Sequence, residues 1–242
     1  MLNETEPPPA AAPADRIAWG PREIAQALGI LVAGVLFVSA CLAPVALAFS
    51  LSKAQVEGIA IVINLPFEFA FLGVAAIFSV GKYRLRWSAL GFRPLALDQA
   101  WVIAATVVGM FAIYLAYNLI VQLTGVDALR PNSSVPAVVR DHRALMVIFG
   151  IVAVLAAPIA EETLFRGFLF SGLAKRLGVF GAALASGLLF SLAHQQPTLI
   201  IPVAGIGMLF AWAYAYTGSL WTNIGAHFIF NLFGFVVIVG GW

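Results

Sequence analysis

Two carboxylates and a guanidinium interrupt a long apolar stretch of this chain. Glu161 and Glu162 are adjacent, and Arg166 follows four residues after Glu162. At helical spacing Glu162 and Arg166 lie on one face, whereas Glu161 projects about 100° away. A charged side chain in hydrocarbon costs roughly 2.5 to 3.5 kcal/mol, so three of them require partners or a task. We expect Arg166 to neutralise Glu162, which leaves Glu161 free for chemistry.

Two further pairs at helical spacing follow downstream. Phe190 and His194 are four residues apart, as are His227 and Asn231, so each pair shares a helix face. Counting helix rise from the polar ends places Glu161, His194 and Asn231 about 20 Å deep, and His227 about 13 Å deep. Burying so many polar groups at one level without a function is costly, so we interpret them as one site.

Composition defines the class of protein that holds these groups. The 242 residues are 62% hydrophobic and only 10% charged, with a mean hydropathy of +0.99. Such a chain has too little polar surface to enclose a water-soluble core, so its partner is the lipid bilayer. The net charge of +2 comes from scattered loop residues, which excludes nucleic acid as a partner. Cys41 is the only cysteine, which excludes an intrachain disulfide.

Long apolar segments recur along the chain and must position the site. They lie at about 24–50, 55–81, 98–124, 143–174, 179–195, 197–217 and 218–240. Most have the roughly 20 residues needed to cross a bilayer, and Pro158 is expected to kink or divide the fourth. We predict an all-α polytopic membrane protein with seven or eight transmembrane helices around a polar intramembrane cavity. Residues 23–242 form this domain, and residues 1–22, rich in Pro and Ala, form a disordered cytoplasmic tail.

The basic residues of the connecting loops predict the orientation. One side carries eight: Arg16, Arg22, Lys82, Arg84, Arg86, Arg93, Lys175 and Arg176. The other side carries four: Lys53, Arg130, Arg140 and Arg143. The excess places the amino terminus in the cytoplasm. We expect a multi-pass protein of the plasma membrane whose chamber opens to the cytoplasmic side or laterally to lipid.

The three motifs resemble those of a known family, the CPBP intramembrane proteases, also called the CAAX protease or Abi family. They read Glu161-Glu162-x-x-x-Arg166, Phe190-x-x-x-His194 and His227-x-x-x-Asn231, in the family's order. The resemblance covers about residues 143–240, and Leu-Gly-Phe-Arg-Pro at 90–94 is also similar to the family. Because the family includes the type II CAAX prenyl endopeptidases, the resemblance implies an intramembrane endopeptidase.

The resemblance also implies roles for the motif residues. Glu161 and His194 would activate a water for attack on a peptide carbonyl, and Glu162 and Arg166 would support the site. His227 and Asn231 would stabilise the oxyanion, a task that amide and imidazole N–H donors on one helix face can perform. The sequence has no Gly-x-Ser-x-Gly elbow and no Asp pair, so serine and aspartyl mechanisms lack their reactive groups.

The sequence leaves open whether the site holds a metal ion. The ligand set for Zn²⁺ would be Glu161, Glu162, His194 and His227, since carboxylate and imidazole are acceptable zinc ligands. The family is often labelled metalloendopeptidase, yet the His-Glu-x-x-His arrangement is missing from this sequence. We favour a site with no cofactor.

Two more residues are candidates for the cavity wall. Phe190 is one, and Glu68 in the second apolar segment is the other. Glu68 is expected to line the cavity or to pair with Arg166, with a hydrogen-bonded packing role as the alternative. Pro66 beside it could open the helix backbone and admit water.

Substrate and function have several readings. The resemblance implies cleavage of a peptide or prenylated membrane protein near its carboxyl terminus, or processing of a bacteriocin-like peptide. An alternative is a non-catalytic membrane scaffold or immunity protein of the same fold. A proton-coupled transporter is a further alternative, because buried Glu and His also suit ion pathways. An inverted repeat would favour it, and none is evident.

Overall fold

Residues 17–131 and 137–240 are described by a computed structural model, and all their regular secondary structure is helical. We number the longer helices α1 (Pro21–Ala48), α2 (Lys53–Gly81), α3 (Leu97–Thr124), α5 (Arg143–Ala193), α6 (Pro197–Thr217) and α7 (Leu220–Gly240). The short helix α4 spans Ala137–Asp141. Single turns at Trp87–Leu90 and Asp127–Leu129 lie in the connections. The all-α membrane fold is confirmed.

The predicted count of seven or eight spanning helices is wrong, because six helices in the described ranges are long and apolar enough to cross a membrane. The difference lies in α5, Arg143–Ala193, which counts once although the sequence divides it into the segments 143–174 and 179–195. Pro158 does not break it. A π-helical turn, Val152–Ala156, precedes the proline, and its wider backbone relieves the clash between the ring and the preceding turn.

Helix α5 reverses its direction at Gly178, where φ is 66° and ψ is 173°. This conformation is open almost only to glycine. The two arms then lie side by side. Ser186 Oγ donates to the Phe165 carbonyl at 2.7 Å, and the rings of Phe165 and Phe190 lie 5.2 Å apart. The helix therefore acts as a hairpin that brings the second motif back to the first.

The second arm of α5 packs closely against α6 through small residues. A Cβ built on Gly207 would lie 2.7 Å from Gly187 Cα, so the two backbones touch. Glycine at such contacts lets helices approach closely in a membrane. The outward surfaces carry exposed apolar side chains, such as Leu36 and Phe37 on α1, which suit contact with lipid.

The residues before α1 are folded onto the core. Trp19 is buried, and its Nε1 donates to the Phe168 carbonyl at 2.9 Å. Glu23 accepts from Lys82 Nζ at 2.6 Å and from Tyr83 OH at 2.9 Å. Residues 17–22 of the predicted tail therefore belong to the folded part of the chain, where Trp19 anchors them. Residues 1–16 of that tail lie outside the described residues.

The helix ends sort into two faces, which contacts between loops define. On the face that we call basic, Lys82 meets Glu23, and Leu220 N donates to the Gly91 carbonyl at 2.8 Å. On the opposite face, Tyr117 OH lies within hydrogen-bond distance of the carbonyl oxygens of Leu129 and Thr198, at 2.8 and 2.6 Å. The Lys and Arg count predicts that the basic face is cytoplasmic.

Candidate active site

Glu162 is the most fully satisfied polar side chain of the site. It ends the helical turn Ala157–Glu162 and has no exposed surface. Its Oε1 accepts from Arg166 Nη1 at 3.0 Å, and its Oε2 accepts from Asn223 Nδ2 at 3.1 Å. His227 Nδ1 lies 3.2 Å from Oε1 and donates to it, because a carboxylate in this network only accepts. The predicted pair of Glu162 and Arg166 is present.

Arg166 is fixed by a second hydrogen bond and by aromatic faces. Its Nη2 donates to the Gly207 carbonyl at 3.0 Å. The guanidinium carbon lies 4.3 Å from the ring centre of Phe190 and 4.8 Å from that of Phe210. Aromatic faces stabilise a cation in a desolvated site. These contacts hold the fully buried charge in one position.

Glu161 has a different environment, although it is the next residue. Its side chain is 13% exposed, and its Oε2 has no hydrogen-bond partner within the described ranges. This oxygen lies 3.8 Å from His227 Nε2. Because Glu162 holds the other ring nitrogen, Nε2 is the atom that His227 directs at Glu161. The predicted division between a neutralised and a free carboxylate matches this geometry.

A cavity of about 500 Å³ adjoins Glu161. Helices α2, α5 and α7 form its wall, together with the residues that follow α5. Its polar lining consists of Asn64, Glu68, Glu161, His194, His227 and Asn231, extended by Gln195 and Gln196. Its apolar lining includes Ile61, Phe71, Phe149, Val152 and Phe235. A pocket of this size, with polar and apolar surface in similar amounts, suits a short segment of substrate.

His194 and Asn231 reach the cavity from two different elements. His194 lies immediately after the last residue of α5 and is exposed, with its Nδ1 2.8 Å from the Phe190 carbonyl. Its Nε2 is therefore the nitrogen left for a ligand. Asn231 on α7 donates from Nδ2 to the Ala153 carbonyl at 2.7 Å. An amide carries two N–H donors, so one remains.

Glu68 lies in the cavity wall, whereas Phe190 does not. Glu68 lines the cavity, and its Oε2 is buried without a hydrogen-bond partner among the described residues. It does not pair with Arg166, which is bound to Glu162 and Gly207 instead. Phe190 is not a cavity residue. It is 2% exposed, because its ring packs under the guanidinium and edge-on to His194 at 4.7 Å.

Asn223 belongs to the site and is missed by the sequence motifs. It is fully buried, and its Nδ2 also donates to the Phe210 carbonyl at 2.8 Å. A signal exists, since Asn223 precedes His227 by four residues, as His227 precedes Asn231. The three residues form one polar stripe on an otherwise apolar helix.

The predicted zinc ligands do not come together as a ligand set. Both oxygens of Glu162 already accept hydrogen bonds from Arg166, Asn223 and His227. Across residues 17–131 and 137–240, no group of three or more His, Cys, Asp or Glu side chains is arranged to hold a metal ion. The donor geometry thus does not fit zinc held by those four residues.

Known proteins resemble this chain over its motif-bearing part. Residues 143–233 match the family described as type II CAAX prenyl endopeptidase, Rce1-like. YdiL of Bacillus subtilis (strain 168), named as a candidate membrane peptidase, is 28% identical over 139 residues, covering 57% of this chain and 56% of YdiL. No solved structure matches the chain.

A second relative carries a more specific name. MroQ of Staphylococcus aureus (strain USA300), a membrane-embedded CAAX protease, is 29% identical over 163 residues, covering 65% of this chain and 58% of MroQ. The chain therefore spans less than two thirds of the length of either relative. The range matched by the family contains all three motifs, from Glu161 to Asn231. These matches show that the motif-bearing part of the chain is similar to the type II CAAX prenyl endopeptidase, Rce1-like family and to proteins named as membrane peptidases.

Proposed function

We propose that this chain is an intramembrane endopeptidase that hydrolyses a peptide bond with a water activated by Glu161. One observation carries the proposal: Glu161 Oε2 is buried beside a cavity with no partner in the described part of the chain. The adjacent Glu162 has three donors. A carboxylate that the fold leaves unsatisfied while it neutralises the next one is suited to act as a base.

The position of the attacking water follows from the pair of Glu161 and His227. Their Oε2 and Nε2 atoms lie 3.8 Å apart, which is too far for a direct hydrogen bond. A water about 2.8 Å from both atoms has good hydrogen-bond geometry to each. Such a water lies in the cavity, within reach of a peptide carbonyl.

The proposed reaction has two steps. Glu161 takes a proton from the water as its oxygen bonds to the carbonyl carbon, and the π electrons move onto the carbonyl oxygen. The free N–H of Asn231 donates to this oxyanion. The C=O bond then reforms, the C–N bond breaks, and the leaving nitrogen takes the proton from Glu161. His194 Nε2 binds the amine product at the rim.

The proposed substrate is a segment of a membrane protein or lipidated peptide. The family match is to CAAX prenyl endopeptidases, and one relative is named a CAAX protease. The apolar cavity lining, with Phe71, Phe149 and Phe235, suits an extended apolar segment. Prenylated carboxyl-terminal peptides are therefore the first substrates to test.

The test compares cleavage of fluorogenic peptides, lipidated and unlipidated, by the purified protein in liposomes. Glu161→Gln should reduce cleavage by about 10² to 10⁴-fold, the usual contribution of a general base, without lowering the unfolding temperature. Glu57→Gln is the matched control, since Glu57 lies at the outer end of α2 and pairs only with the exposed Lys53 in the described structure. Full activity of Glu161→Gln would contradict the proposal.

Two further outcomes have defined meanings. Cleavage that survives a zinc chelator supports a water activated by Glu161 alone, whereas loss on chelation that Zn²⁺ restores would make this residue a metal ligand. No cleavage of any peptide by wild-type protein would favour the non-catalytic scaffold.

A further inference from the structure

Asn223 lies at the point where three helices of the site meet. It is on α7 and has no exposed surface. Its Nδ2 donates to Glu162 Oε2 on α5 at 3.1 Å, and to the Phe210 carbonyl on α6 at 2.8 Å. One amide group therefore joins the buried carboxylate to a neighbouring helix.

The orientation of this amide follows from its two acceptors. A carboxylate oxygen and a backbone carbonyl only accept hydrogen bonds, so the NH2 group of Asn223 must face both of them. Its Oδ1 is then buried without a partner among the described residues. A buried acceptor without a donor costs about as much as a hydrogen bond to a charged group gains. Asn223 is therefore a poor means of stabilising the fold.

Both partners of Asn223 hold the ring of His227. Glu162 Oε1 accepts from His227 Nδ1 at 3.2 Å. The Phe210 ring packs against the same imidazole, with ring centres 5.2 Å apart and planes inclined by 34°. The imidazole is thus held at one nitrogen and on one face by two groups that Asn223 ties together.

The other ring nitrogen of His227 is the one that faces Glu161. His227 Nε2 lies 3.8 Å from Glu161 Oε2, and the attacking water is placed between these two atoms. Rotation of the imidazole would change this separation. A misplacement of about 1 Å at a reacting centre can lower a rate by about 10²-fold. The direction of Nε2 therefore matters for the proposed reaction.

Asn223 itself does not line the cavity. The lining residues of α7 begin one turn later, at His227, and continue with Phe230 and Asn231. Because Asn223 has no exposed surface, its amide cannot contact a substrate. Any effect of Asn223 on hydrolysis must then pass through its hydrogen-bonded neighbours.

We propose that Asn223 is a positioning residue for hydrolysis, which fixes the carboxylate of Glu162 and, through it, the direction of His227 Nε2. This role rests on the proposed function, since it gives Asn223 a part in the same reaction. It also extends the site beyond the three motifs, which contain Glu162 and His227 but not Asn223.

Asn223→Leu tests this role, because it removes the donor and keeps a similar side-chain volume. Per folded molecule, kcat for peptide cleavage should fall by about 10 to 100-fold, whereas KM should not change. The unfolding temperature should change little, because the unpaired Oδ1 is removed together with the donor. Asn118→Leu is the matched control, since Asn118 is a partly exposed residue of α3 whose Nδ2 donates to the Tyr114 carbonyl at 2.8 Å. It should keep the wild-type kcat.

Nitrogen NMR of protein labelled at histidine supplies a readout that needs no cleavage. The chain has three histidines, and the spectrum of His227→Gln identifies the signals of His227. In wild type, the Nδ1–H signal of His227 should be observable, because Glu162 accepts this hydrogen. In Asn223→Leu it should broaden or disappear, whereas the signals of His142, outside the site, should not change. Asn223→Ala removes the same donor and takes the place of Asn223→Leu if the larger side chain prevents folding.

Three results would overturn the proposal. An unchanged Nδ1–H signal of His227 in the folded variants would show that Asn223 does not orient the ring. Activity that falls only in proportion to the amount of folded protein would make Asn223 structural. A raised KM at unchanged kcat would indicate contact with substrate. Because the NMR signal does not depend on hydrolysis, a protein that cleaves no peptide still decides whether Asn223 orients His227, and the two proposals fail separately.

Discussion

The half of the site around Glu162 pairs its carboxylate oxygens, whereas the half around Glu161 leaves a carboxylate oxygen unpaired among the described residues. Around Glu162 both carboxylate oxygens accept hydrogen bonds, aromatic rings cover the guanidinium of Arg166, and residues 86–94 lie against this half. Around Glu161 a carboxylate oxygen faces a cavity without a partner in the described ranges. The two residues are adjacent, so residue type does not decide their roles. The difference teaches that the packed half holds charges in place, and the hollow half leaves groups unsatisfied for reaction.

Removing a charge from the packed half, around Glu162, should cause the largest loss of stability. Arg166→Met leaves Glu162 as an uncompensated buried charge, which costs about 3 to 5 kcal/mol of unfolding free energy. Thermal unfolding of the detergent-solubilised protein measures this loss. Arg176→Met, on the exposed bend of the same helix, is the control and should change little. An unaltered Arg166→Met unfolding temperature would show that the pair is dispensable.

Close backbone contact is the second property of the packed half. Gly207→Ala places a methyl group 2.7 Å from Gly187 Cα, and overpacking of this kind costs about 1 to 3 kcal/mol. It should also displace the carbonyl that binds Arg166. Gly29→Ala on α1 is the matched control, since no atom lies within 4 Å of its added Cβ. Unfolding free energies of both variants decide the matter, and equal values would contradict close packing.

The hollow half should respond in the opposite way. Glu68→Gln removes a carboxylate with no partner among described residues, so the unfolding temperature should not fall. Cleavage should fall about tenfold, because Glu68 lines the same cavity as Glu161 and one hydrogen bond to bound water or substrate is worth about 1 kcal/mol. Peptide cleavage and the unfolding temperature, both measured on Glu68→Gln, show whether activity is lost without loss of stability. A destabilised Glu68→Gln would assign Glu68 to packing instead.

A smaller effect is expected where the chain before α1 meets the packed half. Trp19→Phe keeps the aromatic contact with Phe168 but removes the donor to its carbonyl, which costs about 1 kcal/mol. Trp212→Phe is the control, because Trp212 is an exposed stacked ring. Unfolding temperatures compare the two. Equal unfolding temperatures for the two variants would mean that ring burial, rather than the hydrogen bond, fixes this segment.

The sequence carries the parts of the site that depend on local spacing. Glu162 and Arg166 pair because residues four apart share a helix face, and the free direction of Glu161 follows from the same geometry. Hydrophobic length likewise predicts an all-helical membrane protein. Both inferences need only the rise and turn of a helix. The roles assigned to His194, His227 and Asn231 stay predictions.

Other features depend on contacts that spacing does not contain. The sequence predicts that Pro158 kinks or divides the segment 143–174, whereas a π-helical turn accommodates the proline. The predicted boundary between 174 and 179 does coincide with the reversal at Gly178. Phe190 is expected in the cavity wall, but its ring packs against the guanidinium of Arg166 instead. Asn223 is missed since its acceptor lies 61 residues earlier in the chain.

The bond from Trp19 to Phe168 joins residues that lie 149 positions apart. Membrane proteins are inserted from the amino terminus as they are synthesised, so the donor is in place long before its acceptor exists. The buried residues of α1 are Glu23, Ile24, Ala27 and Leu31. The rest of this helix can therefore contact lipid before α5 has been synthesised. The active centre therefore forms late, after both arms of α5 have entered the bilayer and Trp19 can donate to the Phe168 carbonyl. A ribosome that stalls before Phe168 would release a chain with α1 inserted and no site assembled.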